Sequence, residues 1–110
     1  MLREIQQKIF SEKMIKESEI LSLLKDIEEG KLKIEPTTVP LDVYSGNVIY
    51  NISNGWQITI FNDANTWDYI DNIKATDGRE ISFDEIDNIL SLRNYEPSKK
   101  TCIDIYKIGI

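Results

Sequence analysis

Two runs of strand-forming residues, Asn47–Ile52 and Trp56–Phe61, flank the tripeptide Ser53-Asn54-Gly55. No other stretch restricts the fold so tightly. Val48, Ile49, Tyr50 and Ile52 are β-branched or aromatic, the types that suit a pleated surface. Asn and Gly tolerate the positive φ that a tight hairpin turn demands. After the turn the chain alternates, with Trp56, Ile58 and Ile60 on one face and Gln57, Thr59 and Phe61 on the other. A hairpin with one apolar face must be covered, so Trp56 is expected in a core facing helices.

The flanking segments extend this into a meander. Asn62-Asp63-Ala64-Asn65 reads as a polar loop. Trp67–Ala75 reads as a third strand, alternation placing Trp67, Tyr69, Asp71 and Ile73 opposite Asp68, Ile70, Asn72 and Lys74. Asp77-Gly78 supplies a second tight turn. Before the hairpin, residues 2–16 and 19–29 carry apolar residues at helical spacing, as one long helix or two with a break. Ser18 is the expected N-cap of the second stretch and Gly30 lies just past its end. Pro36 and Pro40 make residues 31–42 an extended or looped connector. Ser82 with Glu85 fits a capping box opening a further helix through Phe83, Ile86, Ile89 and Leu90. The β-branched tail 101–110 is expected to be a strand. The predicted class is α+β: an N-terminal helical segment, an antiparallel β meander of three or four strands and one further helix. Its 110 residues are expected to form a single domain over residues 1–110.

Composition removes most chemistry. With 41% hydrophobic residues the chain can build a core without staples. It has no histidine and one cysteine, Cys102, so Ser-His-Asp and Cys-His systems, His-ligated metals and CxxC zinc sites are excluded. No phosphate-binding glycine loop is present. Asp63-x-Asn65 opens like a calcium loop, but Trp67 stands at the next ligand position and no glycine follows it. No metal, no cofactor and no catalytic residue is predicted, and the protein is not expected to be an enzyme. Cys102 reads as a reduced core thiol, which together with the absence of a membrane-length apolar run predicts a cytoplasmic protein.

The charge is regional. Residues 61–90 hold eight acids and two bases, a balance of −6 that equals the net charge of the whole chain. A single-sign field of this kind steers partners of opposite charge and disfavours direct phosphate binding. Asp63, Asp68, Asp71, Asp84 and Asp87 are therefore the expected steering residues of a protein interface, with Trp67 and Tyr69 as aromatic anchors.

The run Gly55-Trp56, Ile60-Phe61-Asn62-Asp63, Asp68-Tyr69-Ile70-Asp71 and Asp77-Gly78-Arg79 resembles a family of small uncharacterised bacterial proteins with a GW, an FND, a DY and a DGR in that order. The resemblance covers about residues 18–88 and implies a bacterial origin but no activity. By type and not by motif, the chain also resembles bacterial toxin-immunity proteins, which are small acidic domains that block a cognate toxin. The function this implies is an immunity-type inhibitor that binds a basic toxin domain, such as a nuclease, through its acidic surface. The alternatives are a phage-encoded inhibitor of a host defence nuclease and a small regulatory or structural subunit acting as a homodimer.

Overall fold

The structure, a computed structural model, describes residues 14–109. The helical stretch expected over residues 2–16 lies outside it apart from its last three residues. These are not helical, and helix α1, Glu17–Glu28, begins directly after them. Its N-cap is Lys16 and not Ser18. The Glu19 carboxylate reaches back to accept the Lys16 N–H at 3.1 Å, which satisfies a donor that no helical carbonyl can reach. Ile20, Leu23, Leu24 and Ile27 form the buried stripe of α1. Gly30 stops it at φ +77, donating to the Ile27 carbonyl at 3.1 Å.

Five antiparallel strands follow in sequential order: β1 Ile34–Pro36, β2 Ser45–Ile52, β3 Gln57–Asp63, β4 Thr66–Lys74 and β5 Glu80–Ser82. A 3-10 turn, Pro40–Asp42, lies between β1 and β2. The short helices α2 Phe83–Asp87, α3 Leu90–Arg93 and α4 Lys99–Asp104 complete the chain. The α+β class and the antiparallel order are as expected, but the sheet has five strands and not three or four, because the three-residue outer strands β1 and β5 are too short to leave a periodic pattern. The β2–β3 hairpin turns at Gly55, whose φ is +92 and where a Cβ would meet Thr76 Oγ1 at 2.8 Å. Both facts require glycine there.

Three further expectations are corrected. The stretch from Ser82 is two short helices, broken at Asn88 and Ile89, and Leu90 is 78% exposed where a single helix would have turned it inward. Its opening is as predicted, since the Glu85 carboxylate accepts from both the N–H and the hydroxyl of Ser82. The tail is not a strand. Ser98 accepts the Thr101 N–H at 3.1 Å and starts α4, after which the chain makes a single parallel bridge from Gly109 to Thr66.

The third correction concerns β4. Ile60 pairs with Ile70 and Thr59 with Asn72, so Asp71 is an extra residue; Asn62 pairs with Trp67 and Phe61 with Tyr69, so Asp68 is another. Two bulges therefore break the period of two. Trp67, Ile70 and Ile73 all turn to the core, and Tyr69 turns away from Trp67 to the opposite face.

One ion-pair network ties α1 to the sheet. Arg79 in the β4–β5 turn grips Glu19 with two bonds of 2.8 and 2.9 Å and holds Asp77 with a third at 2.8 Å. The guanidinium holds the Glu19 carboxyl below its ordinary pKa, helped by the Lys16 N–H, and the Arg79 backbone and side chain do the same for Asp77. A depressed folded-state pKa gives stability that is present above the unfolded value, about 4.3, and lost as pH falls through the folded one. The melting temperature should therefore drop on acidification from about pH 5 towards pH 3, and less steeply in Glu19→Gln. Parallel Tm-versus-pH curves for the two proteins would show that the pair does not contribute.

Candidate interaction surface

The sheet has one face turned to the core and one turned outward. Asn47, Ile49 and Asn51 of β2, Gln57, Thr59 and Phe61 of β3, and Tyr69, Asn72 and Lys74 of β4 point outward, by the register and burial of each strand. Helix α2 reaches this face at its first residue, Phe83. Apolar residues interrupt its polar surface at one end. Phe61 stacks on Tyr69, with centroids 5.0 Å apart and planes 12° from parallel, and Tyr69 packs on Phe83 at 4.5 Å. Ile49 beside them is 42% exposed. Partial burial pushes the Tyr69 phenol above its ordinary pKa, and the carboxylates of Asp71 and then Asp68 push in the same direction. Both bulge residues are thus close enough to this ring to load it electrostatically.

Alongside lies a groove. β5 pairs only with Asn72–Lys74, so the Trp67–Asp71 stretch of β4 has no strand neighbour on that side. It faces α2 and the segment after α3 across a groove of about 530 Å³. Asp68 and Tyr69 enter it from β4, Phe83 and Asp87 from α2, and Arg93 and Glu96 from beyond.

Four of the seven expected contact residues, Trp67, Asp68, Tyr69 and Asp87, therefore border one groove. Asp71 lies on the outward face, half-buried, and accepts a bond of 3.4 Å from Asn47 Nδ2. Asp63 is exposed at the β3–β4 turn and accepts the Ser45 hydroxyl at 3.1 Å. Asp84 is exposed in the first turn of α2. Two other acids of residues 61–90 are committed to the fold's own contacts: Asp77 to Arg79 and Glu85 to the α2 cap.

Trp67 is buried where an anchor was expected, and Trp56 packs against the core, towards α1 as expected, but only from its margin. Trp67 is only 6% exposed and packs edge-on against Tyr106 at 5.0 Å and Tyr95 at 6.0 Å. It is a core residue and offers no free anchor surface. Trp56 is half-buried, with a hollow on either side of its ring, one against α1 and one against the β4–β5 turn. Sequence reasoning missed Phe61, Phe83 and Tyr95 as contributors. The signal for Phe61 was present, since it is an aromatic on the polar side of an alternating strand.

Asn65 is fully employed in structure, its Nδ2 donating to the carbonyls of Leu41 and Val43 at 2.8 and 3.2 Å. Among the described residues no group of three or more acidic or cysteine side chains is arranged to hold a metal ion. Cys102 is buried, and burial, then the Glu96 charge, pushes its thiol up and away from the reactive thiolate. No described helix is long and apolar enough to cross a membrane.

No curated protein and no solved structure shows a significant match to the chain. A family described as a domain of unknown function (DUF7693) matches residues 14–94, from the residues before α1 to the end of α3. The match takes in the whole five-stranded sheet, the aromatic stack and the Arg79 network, and it covers well over half of the sequence. The chain belongs to the DUF7693 family.

Proposed function

We propose that this protein works by binding, as an immunity-type inhibitor that seats a basic toxin domain on the outward face and edge of β4. The observation that carries the proposal is the Phe61–Tyr69–Phe83 stack, flanked by the carboxylates of Asp68, Asp71 and Asp87. Half-exposed aromatics supply contact area at low entropic cost, and surrounding charges of one sign set orientation and association rate. Exposed carboxylates on an open face are better placed to steer a partner than to protonate a buried substrate. The natural partner is a basic nuclease domain, whose own phosphate-binding surface is complementary in charge. The cytoplasm, where Cys102 stays reduced, is the compartment this reading requires.

The dimeric-subunit alternative finds less support at β1, the outer strand on that side of the sheet. Thr37 and Lys33 bond inward to β2, which leaves Ile34 and Pro36 as the outward-facing residues, and Pro36 has no N–H to offer a second strand.

The test is association with the basic domain encoded by the gene immediately upstream. The native chain should abolish the nuclease activity of that domain at equimolar ratio. The double substitution Asp68→Lys, Asp71→Lys should slow association at least about tenfold at low salt, with the difference shrinking as salt screens it. Full nuclease activity in the presence of the native chain, or an on-rate that ignores the charge reversal, would contradict the proposal.

A further inference from the structure

We infer that the groove beside β4 is the receptor for a single arginine side chain of a partner protein. The inference rests on the reading of this surface as a protein interface and assigns one contact within it. The groove combines the two features that a guanidinium needs. Its carboxylates come from separate elements: Asp68 from the first bulge of β4, Asp87 from the last turn of α2 and Glu96 from the segment beyond α3. Its aromatic surface comes from Tyr69 and Phe83, packed together at 4.5 Å, and from Tyr95. Acids alone would be solvated, and rings alone would take any apolar group. Together they select a flat, weakly hydrated cation that can stack on a ring while donating in plane to carboxylates. Lysine meets only half of this description, because its ammonium is a compact, strongly hydrated point charge.

Two further observations fit an incoming cation on a peptide. Among the described residues the only base bordering the groove is Arg93, and its Nε is committed to the Asp87 carbonyl at 2.8 Å, so three carboxylates share the lining with one guanidinium. Trp67 also borders the groove, as a wall that is 6% exposed. Both bulges lie on this stretch of β4 and spoil it as a template for an added strand, so side-chain capture is the mode of recognition that the edge permits.

The probe is a blocked dipeptide, acetyl-Gly-Arg-amide, set against its citrulline counterpart, which has the same shape and no charge. Both are titrated at millimolar concentration into the full ¹⁵N-labelled chain. The arginine peptide should shift the backbone signals of Asp68, Tyr69 and Asp87 and the Trp67 indole signal, and citrulline should not. Asp68→Asn with Asp87→Asn should weaken binding at least about tenfold, and Arg93→Gln, which removes the competing cation, should strengthen it a few-fold. Equal responses to arginine and citrulline, shifts spread evenly over Asp63, Glu80 and Asp84, or indifference to both sets of substitutions would each overturn the assignment. Its failure is separable from that of the inhibitor reading. If the nuclease domain is inhibited as tightly by Asp68→Asn, Asp87→Asn as by the native chain, the arginine receptor falls and the inhibitor stands. If the peptide binds as described and the nuclease is not inhibited, the receptor stands and the inhibitor falls.

Discussion

Trp67→Ala should destabilise the protein by about 3–5 kcal/mol, while Trp56→Ala should cost roughly 1–2 kcal/mol. The two indoles are eleven residues apart, and strict alternation along the hairpin and the third strand would rank them the other way. Trp67 is 6% exposed, stands across from Asn62 on the core face, and is clasped by Tyr106 and Tyr95. Removing its ring leaves a cavity that three neighbours fixed by the sheet and the tail cannot close, so a cavity term adds to the lost burial. Trp56 gives up a half-buried ring already bordered by open hollows, and water can fill the space. Trp67→Phe should cost distinctly less than Trp67→Ala. It keeps most of the apolar ring and deletes an N–H that has no acceptor among the described residues, so no hydrogen bond is lost with it. Urea unfolding of the full chain measures all three. Equal costs for the two alanine variants would mean that the bulges at Asp68 and Asp71 do not set the inward face of β4.

Those bulges explain what was legible in the sequence and what was not. The β2–β3 hairpin, the buried stripe of α1, its glycine stop and the Ser82–Glu85 cap are local features, governed by residues within one turn of each other. Such patterns survive tertiary context. A bulge leaves no comparable mark. The spacing of Trp67, Ile70 and Ile73 by threes was its one trace, and Tyr69 between them kept the alternating reading plausible. The tail misled for a related reason: Ile103, Ile105, Tyr106 and Ile108 have strand composition, but Ser98 caps a helix there and only Tyr106 and Ile108 are fully turned to the core. Propensity describes a fit to a half-buried surface, and here the tertiary site overrides it.

The candidate surface was legible as charge and not as shape. The acidic segment marked the region where Asp68, Asp71 and Asp87 gather near Tyr69. Charge counting could not separate them from Asp77 and Glu85, which are engaged in holding a turn and starting a helix. Nor could it find Phe83, which reaches Tyr69 only because β5 ends where α2 begins.

A chain shortened after Ile105 should lose most or all of its cooperative folding, although the family match ends at residue 94, well before the cut. The lost residues close the core. Tyr106 and Ile108 are 0% and 2% exposed, and the Tyr106 carbonyl accepts the buried Tyr50 hydroxyl at 2.8 Å. Gly109 docks against the β3–β4 turn through a 2.9 Å bond to the Asn65 carbonyl, where a Cβ would stand 2.9 Å from the same oxygen. The Tyr106 ring is worth about 3–5 kcal/mol and the Ile108 side chain about 2–5. Orphaning the Tyr50 hydroxyl adds about 1–3 kcal/mol. These contributions share neighbours and do not add fully. Even their low end, about 6 kcal/mol, reaches the lower limit of the 5–15 kcal/mol that holds a domain together. Tyr106→Phe provides the control. The Tyr106 hydroxyl is buried without a partner among the described residues, so its removal should be near-neutral while the ring and the carbonyl remain. Far-UV circular dichroism and thermal melts of the two variants decide the matter. A shortened chain that melts cooperatively within about 5 °C of the native one would place the folding unit inside the family match and leave the tail an ornament. The expected loss instead makes the tail the piece that seals Trp67 and Tyr50 beneath it, and with them the wall on which the β4 groove is built.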